Sequence, residues 1–406
     1  MTKHRWNDSL PANWLWVKAQ DCMDVRDGTH DSPKPVSEGI PLITSKNLIG
    51  GFLDFSTCSF ISEEDHLSIS KRSKVDNGDI LYAMIGTIGN PVIVNKTKEF
   101  SIKNVALFKC SNDCVFNKYI YHFLNSSLAE RQLKRKARGG TQKFISLGNL
   151  RELEIPLPPL EEQKRIASIL DKVDAICQKR EQAIKLADDF LRATFLDMFG
   201  DPVENPKKLK KAPITELADV ITGFAFKSNE YISDTPESVR LCRGANTLTG
   251  YLDWADTKFW PKNKLEKLDN YLIKAGDIIL AMDRPWISSG LKVCIFPENQ
   301  RETYLVQRVA RLRPRCESYT NYIYSCIKSP AFEKHCCPTE TTVPHISPVE
   351  LKNFEVLIPP DELMVNFHSI VSIINNSLNK MASGDIDSDA LFSKLSQQAF
   401  SGHLKR

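Results

Sequence analysis

Gly78-Asp79-Ile80-Leu81-Tyr82-Ala83-Met84 returns later in the chain as Gly276-Asp277-Ile278-Ile279-Leu280-Ala281-Met282, an offset of 198 residues. A Gly-Asp turn leading into a short, wholly apolar run reads as a tight turn feeding a buried strand. Gly50-Gly51-Phe52-Leu53-Asp54 likewise returns as Thr249-Gly250-Tyr251-Leu252-Asp253, an offset of 199. Ile145-Ser146, Leu150 and Ile155-Pro156-Leu157-Pro158-Pro159 return as Ile346-Ser347, Leu351 and Val356-Leu357-Ile358-Pro359-Pro360, an offset of 201. Three matches in one order at nearly one spacing mark a tandem duplication. Solenoid repeats run ~20–50 residues, so a period this long points to the copying of a whole module.

Within each copy, short β-rich runs (40–48, 80–84 and 92–94; then 271–282 and 291–296) alternate with Gly, Asn, Asp and Pro punctuation. Helical patches lie at 118–138 and 319–332. Each copy therefore reads as an α+β domain.

After each Pro-Pro the pattern changes to helix. Pro159 precedes Leu160-Glu161-Glu162, which suits a first turn with acids near the positive end of the helix. Ile166, Ile169, Val173, Ile176, Ala183, Ala187 and Phe190 then recur at coiled-coil spacing, and Gly200-Asp201-Pro202 ends the run. The second copy carries Val365, Ile370, Ile373, Ile374, Leu378 and Met381, a break at Ser383-Gly384-Asp385, and a resumption through Leu391, Phe392, Leu395, Ala399 and Phe400. Neither stripe buries itself, so the two helices are expected to pair antiparallel within the chain. Dimerisation through the same stripes is the alternative. The expected segments are 1–155 (first domain), 156–202 (central helical spacer), 203–357 (second domain) and 358–406 (second helical spacer).

Composition narrows the function. The chain has 406 residues, 54 Lys plus Arg against 50 Asp plus Glu, a net charge of +4, and 42% hydrophobic residues. That excludes global disorder and excludes a protein that binds acidic partners by bulk charge. The N-terminus has no apolar leader and no stretch reaches 18 apolar residues, so neither secretion nor membrane insertion is expected. The eleven cysteines then read as buried apolar residues in a reducing compartment. Cys110 with Cys114, and His335-Cys336-Cys337, lack the second closely spaced pair that a zinc site needs, so no metal is expected.

The order of a β-rich domain, Pro-Leu-Pro-Pro-Leu-Glu-Glu-Gln-Lys-Arg-Ile (156–166), a long helix closing on Phe195-Leu196-Asp197-Met198-Phe199-Gly200-Asp201-Pro202, a second β-rich domain, Ile-Pro-Pro (358–360) and a second helix closing on Leu395-Ser396-Gln397-Gln398-Ala399-Phe400-Ser401-Gly402 resembles the DNA-specificity subunits of type I restriction–modification enzymes. The resemblance spans essentially the whole chain. It implies two target-recognition domains in tandem, each reading half of a split, non-palindromic site in double-stranded DNA. It implies spacer helices, paired as an antiparallel coiled coil, that set the distance between the halves and dock two methyltransferase subunits. Restriction and motor subunits join that assembly in the cytoplasm of a prokaryote. S-adenosylmethionine, ATP and magnesium belong to those partners, and no cofactor is expected on this chain. One departure stands out: the second Pro-Pro is followed by Asp361-Glu362-Leu363-Met364 rather than Leu-Glu-Glu-Gln, so the second helix is expected to dock differently.

A DNA reader needs cations for phosphates and polar forks for base edges. The densest basic run is Arg131, Lys134, Arg135, Lys136 and Arg138, followed by Gly139-Gly140-Thr141-Gln142-Lys143. Arg135, Arg138, Thr141, Gln142 and Lys143 are the candidates there, and Thr342 and His345 are their counterparts in the second copy. Lys46 and Asn47 match Arg243 and Asn246, with both asparagines offering forks suited to adenine. Arg72, Lys74 and Arg284 flank the Gly-Asp turns. Ile166, Ile169, Val173, Ile176, Ile370, Ile373 and Leu378 are the candidates for docking partner subunits. The near-neutral charge implies modest DNA affinity for the isolated chain.

The alternatives are a stand-alone DNA methyltransferase or nuclease, or a scaffold that uses its coiled coil only for protein contacts. A methyltransferase needs a polar residue before its Pro-Pro pair to hold a flipped base, and here Leu157 and Ile358 stand there. Gly86-Thr87-Ile88-Gly89 lacks the spacing of a dinucleotide turn, and no phosphate-binding loop of an ATP motor occurs.

Overall fold

The computed structural model describes residues 10–136, 144–336, 345–382 and 388–404. Two compact units emerge, one of residues 1–181 with 384–406 and one of residues 182–383. The duplication appears in the matching strand order of their main sheets.

In the first unit a four-stranded antiparallel sheet runs, across its width, Asp24–Asp27, Val105–Lys109, Ile80–Ala83 and Gly89–Ile93. In the second the order is Ala218–Thr222, Val309–Pro314, Ile278–Ala281 and Val293–Ile295. Each unit adds a three-stranded sheet with one antiparallel and one parallel pairing, centred on Ile40–Ile43 or Ser238–Cys242. A two-stranded ribbon completes each: Leu15–Lys18 on Glu154–Leu157, and Lys210–Pro213 on Glu355–Ile358.

The repeated apolar run is the central strand of each large sheet, buried on both faces. Side chains alternate across a strand. Ile80 and Tyr82 therefore face the helices while Leu81 and Ala83 face the smaller sheet. Ile278 and Leu280 repeat the first role and Ile279 the second. The turn into each strand needs glycine, with Gly78 at φ +87° and Gly276 at φ +81°. The following acid caps the turn: Asp79 Oδ2 accepts from Asp76 N at 2.7 Å, and Asp277 Oδ2 from Lys274 N at 2.7 Å.

Both helical faces of the sheets are closed by the long helix Leu160–Phe199 and the helices Asp361–Ala382 and Ser388–Phe400. At ~1.5 Å per residue the 40-residue helix is about 60 Å long. Its first turns, through Ile166, Ala167 and Leu170, join Ala399 and Phe400 in the core of the first unit. Its last turns, through Phe195 and Phe199, join Met364, Phe367 and Val371 in the core of the second. In each unit residues from one end of the long helix share a core with residues from one of the C-terminal helices.

The helical stripe expected in the second copy is corrected in register. Met364, Phe367 and Val371 are the buried positions, whereas Val365, Ile373 and Met381 are exposed. In the long helix Ile166 and Val173 are buried but Ile176 and Phe190 are exposed. The helix ends turn whichever face covers their own sheet. The expected break at Ser383-Gly384-Asp385 lies outside the described residues.

The departure after the second Pro-Pro has a clear consequence. Gln163 is fully buried, accepts from Phe116 N at 2.9 Å and donates to the carbonyls of Cys114 and Pro158, each at 2.9 Å. Met364, the corresponding residue, packs instead into the apolar core of the second unit.

No helix among the described residues is long and apolar enough to cross a membrane. Among the same residues no three His, Cys, Asp or Glu side chains converge as a metal site requires, and the described cysteines are free thiols.

Candidate nucleic-acid interface

In each unit the loop that follows the repeated strand meets the chain returning from a candidate segment, whereas Arg72 and Lys74 precede the start of that strand in the first unit. In the first unit the loop after the central strand bridges at Ile85 to Phe144, and Ile145 N donates to Met84 O at 3.0 Å. In the second, Asp283 bridges to His345, and Ile346 N donates to Met282 O at 2.9 Å. Each basic or polar segment thus rejoins its unit beside the loop that follows the Gly-Asp strand. Arg138, Thr141, Gln142, Lys143 and Thr342 lie outside the described residues. The helix Ser127–Lys136 leads into the first of those segments, with Arg131, Lys134 and Arg135 exposed. Lys134 pairs with Glu130 at 2.6 Å, one helical turn back.

The second unit brings two candidates together. His345 Nδ1 lies 2.6 Å from Asp283 Oδ1, beside the exposed Arg284. Asp283 Oδ2 also meets Arg308 Nε at 3.6 Å. Arg308 is absent from the sequence candidates. It is exposed and holds φ +72°, unusual for a side chain of its size, and its carbonyl accepts from Met282 N at 2.9 Å. Its sequence signal was its place at the entrance to the strand that pairs with the Gly-Asp strand.

In the first unit Lys46, Arg72 and Lys74 are exposed. Arg72 pairs with the buried Asp27, which also takes His30 Nε2 at 2.9 Å, so its guanidinium is oriented from behind. Lys74 is only loosely paired, 3.8 Å from Asp76. Below the loops, each turn acid anchors a cation of the neighbouring strand. Lys109 Nζ lies 2.7 Å from Asp79, and the guanidinium of Arg313 makes two bonds to Asp277 at 2.8 and 2.7 Å. Burial works against the Lys109 ammonium, but its hydrogen bonds to Asp76 and Asp79 overcome that and raise its pKa.

Three candidates are corrected. Asn47 and Asn246 are 2% and 1% exposed. Asn47 Oδ1 accepts from Thr44 N at 2.9 Å while its Nδ2 donates to Asp54 O at 3.0 Å. Asn246 Oδ1 accepts from Arg243 N at 3.1 Å and its Nδ2 donates to Asp253 O at 3.0 Å. Both carboxamides are consumed in locking a turn and offer no fork to a base. Arg243 is likewise committed, its Nη2 lying 2.8 Å from Asp256 Oδ2. Lys258 and Arg243 together hold the Asp256 carboxyl down to about 2.

The docking candidates separate by burial. Ile166 is spent on the core of the first unit and Val173 is also buried, so neither presents an apolar surface to a partner. Ile169, Ile370 and Leu378 are half-buried, and Ile176 and Ile373 are exposed.

The family model described as the type I restriction modification DNA specificity domain matches residues 24–186. The chain is 26% identical over 305 residues to the type I restriction enzyme MjaVIII specificity subunit of Methanocaldococcus jannaschii, covering 71% of this chain and 70% of that one. It is 23% identical to the MjaIX specificity subunit of the same organism, with 97% of each chain covered. Among solved structures, the S subunit of a type I restriction–modification system from M. genitalium shares the fold at a TM-score of 0.61, with 14% identity and 98% of both chains covered.

Proposed function

We propose that this chain, which is similar to type I restriction enzyme specificity subunits, is a member of that family and that each of its two units reads one half of a bipartite, non-palindromic site in double-stranded DNA. The observation that carries this is the matching strand order of the two units' four-stranded sheets, three-stranded sheets and ribbons, combined with unlike residues on their loops. The loop after the central strand meets Phe144 in the first unit and, through Asp283, meets His345 and Arg308 in the second. A shared frame with divergent loops suits one task performed on two different sequences.

Lys46, Arg72, Lys74, Arg135, Arg138, Lys143 and Arg284 supply phosphate contacts in this reading, and Thr141, Gln142, Thr342 and His345 face base edges. Arg308 joins them. The exposed parts of the spacer helices, including Ile176 and Ile373, dock two methyltransferase subunits, to which restriction and motor subunits are added. This chain performs no catalysis. S-adenosylmethionine, ATP and magnesium act in the partners, in the cytoplasm of a prokaryotic cell.

Co-expression with the candidate adenine methyltransferase, followed by mapping of methylated adenines across the host genome, tests the reading. A split, asymmetric motif is expected. Replacing residues 1–155 with those of a relative is expected to change one half of it. A continuous or palindromic motif, or a change in both halves, would overturn the assignment.

A further inference from the structure

Both repeats end a turn with an exposed aromatic ring at one equivalent place. Phe52 is 72% exposed and Tyr251 is 59% exposed. A single apolar side chain on a surface needs no explanation, but the same one kept in two diverged copies calls for one. The two turns are otherwise unlike, Leu48-Ile49-Gly50-Gly51 against Thr247-Leu248-Thr249-Gly250.

Their frames are the same. Gly51 and Gly250 hold φ +81° and +85°. The next residue is the outward aromatic. The residue after that is a leucine turned inward, Leu53 against the core below the first turn and Leu252 against its counterpart. Asp54 N then donates to Asn47 O at 2.8 Å, and Asp253 N to Asn246 O at 2.8 Å. The buried Asn47 and Asn246 carboxamides close both turns from beneath. Each ring therefore stands on a rigid base, so holding it against a ligand costs little ordering entropy.

The position of the turns indicates what the rings meet. Asn90 Nδ2 donates to Leu48 O at 3.4 Å, and Gly250 N donates to Val293 O at 2.9 Å. Thr249 Oγ1 also lies 3.2 Å from Ser289 Oγ. These partners sit on, or just after, the loop that carries Ile85 in one unit and Asp283 and Arg284 in the other. The second aromatic thus borders the loop that carries Arg284, and the first stands on a turn with exposed Lys46 at its base.

We propose that Phe52 and Tyr251 are uncharged DNA-contact residues, one for each half-site, whose rings pack against deoxyribose and base edges in the groove that their unit reads. The inference rests on the half-site reading above. Apolar rings pressed into a groove add affinity without displacing counterions, so these residues differ from the neighbouring lysines and arginines in a measurable way.

The test uses the complete complex with its methyltransferase subunits, a duplex bearing the methylated motif and a scrambled duplex, titrated over a range of KCl concentrations. Phe52→Ala and Tyr251→Ala are each expected to weaken cognate binding about 10-fold while leaving the slope of log Kd against log salt unchanged. Lys46→Ala is expected to lower that slope by about one contact. Melting of each variant should match the wild type, since the rings are exposed. Unchanged Kd in both aromatic variants, or normal DNA binding with loss of methyltransferase co-purification, overturns the proposal. A wild-type complex that does not prefer its cognate duplex sinks the half-site reading itself, and this inference with it.

Discussion

The ring of Phe199 stands edge-on to that of Tyr322, with centroids 4.7 Å apart. Phe400 packs on Tyr119 at 5.4 Å in the other unit. Tyr322 donates its hydroxyl to Leu357 O at 2.7 Å and Tyr119 donates to Pro156 O, so each tyrosine ties its helix to the ribbon strand ahead of a spacer helix. Each repeat is therefore closed by the last residue of a helix that follows the other repeat in the chain. Removing a fully buried phenylalanine costs about 3–5 kcal/mol. Phe199→Ala is expected to loosen the second unit and Phe400→Ala the first, as read by hydrogen exchange resolved along the chain. Equal loosening of both units by either variant would contradict the closure described.

Much of this organisation was legible beforehand because the signals were local. A Gly-Asp turn, an apolar run of strand length and a Pro-Pro before a helix are each decided by a few neighbouring residues. The helical register was not, because apolar residues spaced by three and four fit several stripes. Only the shape of the underlying sheet selects Met364, Phe367 and Val371 over Val365, Ile370 and Ile373. Asn47 and Asn246 were correctly matched to each other, but a fork facing DNA and a fork locking a turn have the same sequence. The carbonyls of Asp54 and Asp253 decide between them, and they are brought in only by folding. Arg308 was missed because its exposure depends on pairing with a distant strand.

The turn locks give a second expectation. Asn47→Ala leaves the Asp54 carbonyl and the Thr44 amide without their buried partner, a loss of about 1–3 kcal/mol. Asn246→Ala should cost a similar amount. If the asparagines act only as braces, neither variant changes the salt dependence of DNA binding, and stability falls even without DNA. A variant with wild-type melting and lost base preference would return the asparagines to the role of readers.

His122 makes the first unit sensitive to acid. Its Nε2 lies 2.7 Å from Asp171 Oδ1 and its Nδ1 is buried without a partner. Burial lowers the imidazole pKa and outweighs the opposing pull of Asp171. Because the folded pKa is depressed, the stabilisation is present above the unfolded value of about 6.5 and fades as pH falls below it. Asp171 is also lowered, its bonds to Lys118 and His122 overcoming burial, so its contribution is lost only in stronger acid, through the ordinary carboxylate range and below. Melting temperature should fall between pH 7 and 5.5 in the wild type, and the fall should flatten in His122→Gln. An equal slope in both proteins would exclude His122 as the source.

Gln163 and Met364 occupy matching helix starts but hold them by different means, so exchanging their chemistry should be costly. Gln163→Met keeps the volume close to constant, yet it strips the Phe116 amide and the Cys114 and Pro158 carbonyls of their partner. Unsatisfied buried groups cost about 1–3 kcal/mol each, and relaxation toward water recovers part of that for groups near the surface. A net loss of about 2–4 kcal/mol is therefore expected, with the opening localised to the start of the long helix. Met364→Gln places a carboxamide in the apolar core that holds Phe195, Phe199 and Phe367, and it should destabilise the second unit by a comparable amount through desolvation alone. Denaturant midpoints of the two variants, with exchange protection at residues 114–116 and 361–367, separate the mechanisms. A neutral Gln163→Met would show that packing, not the carboxamide, seats the long helix on its domain.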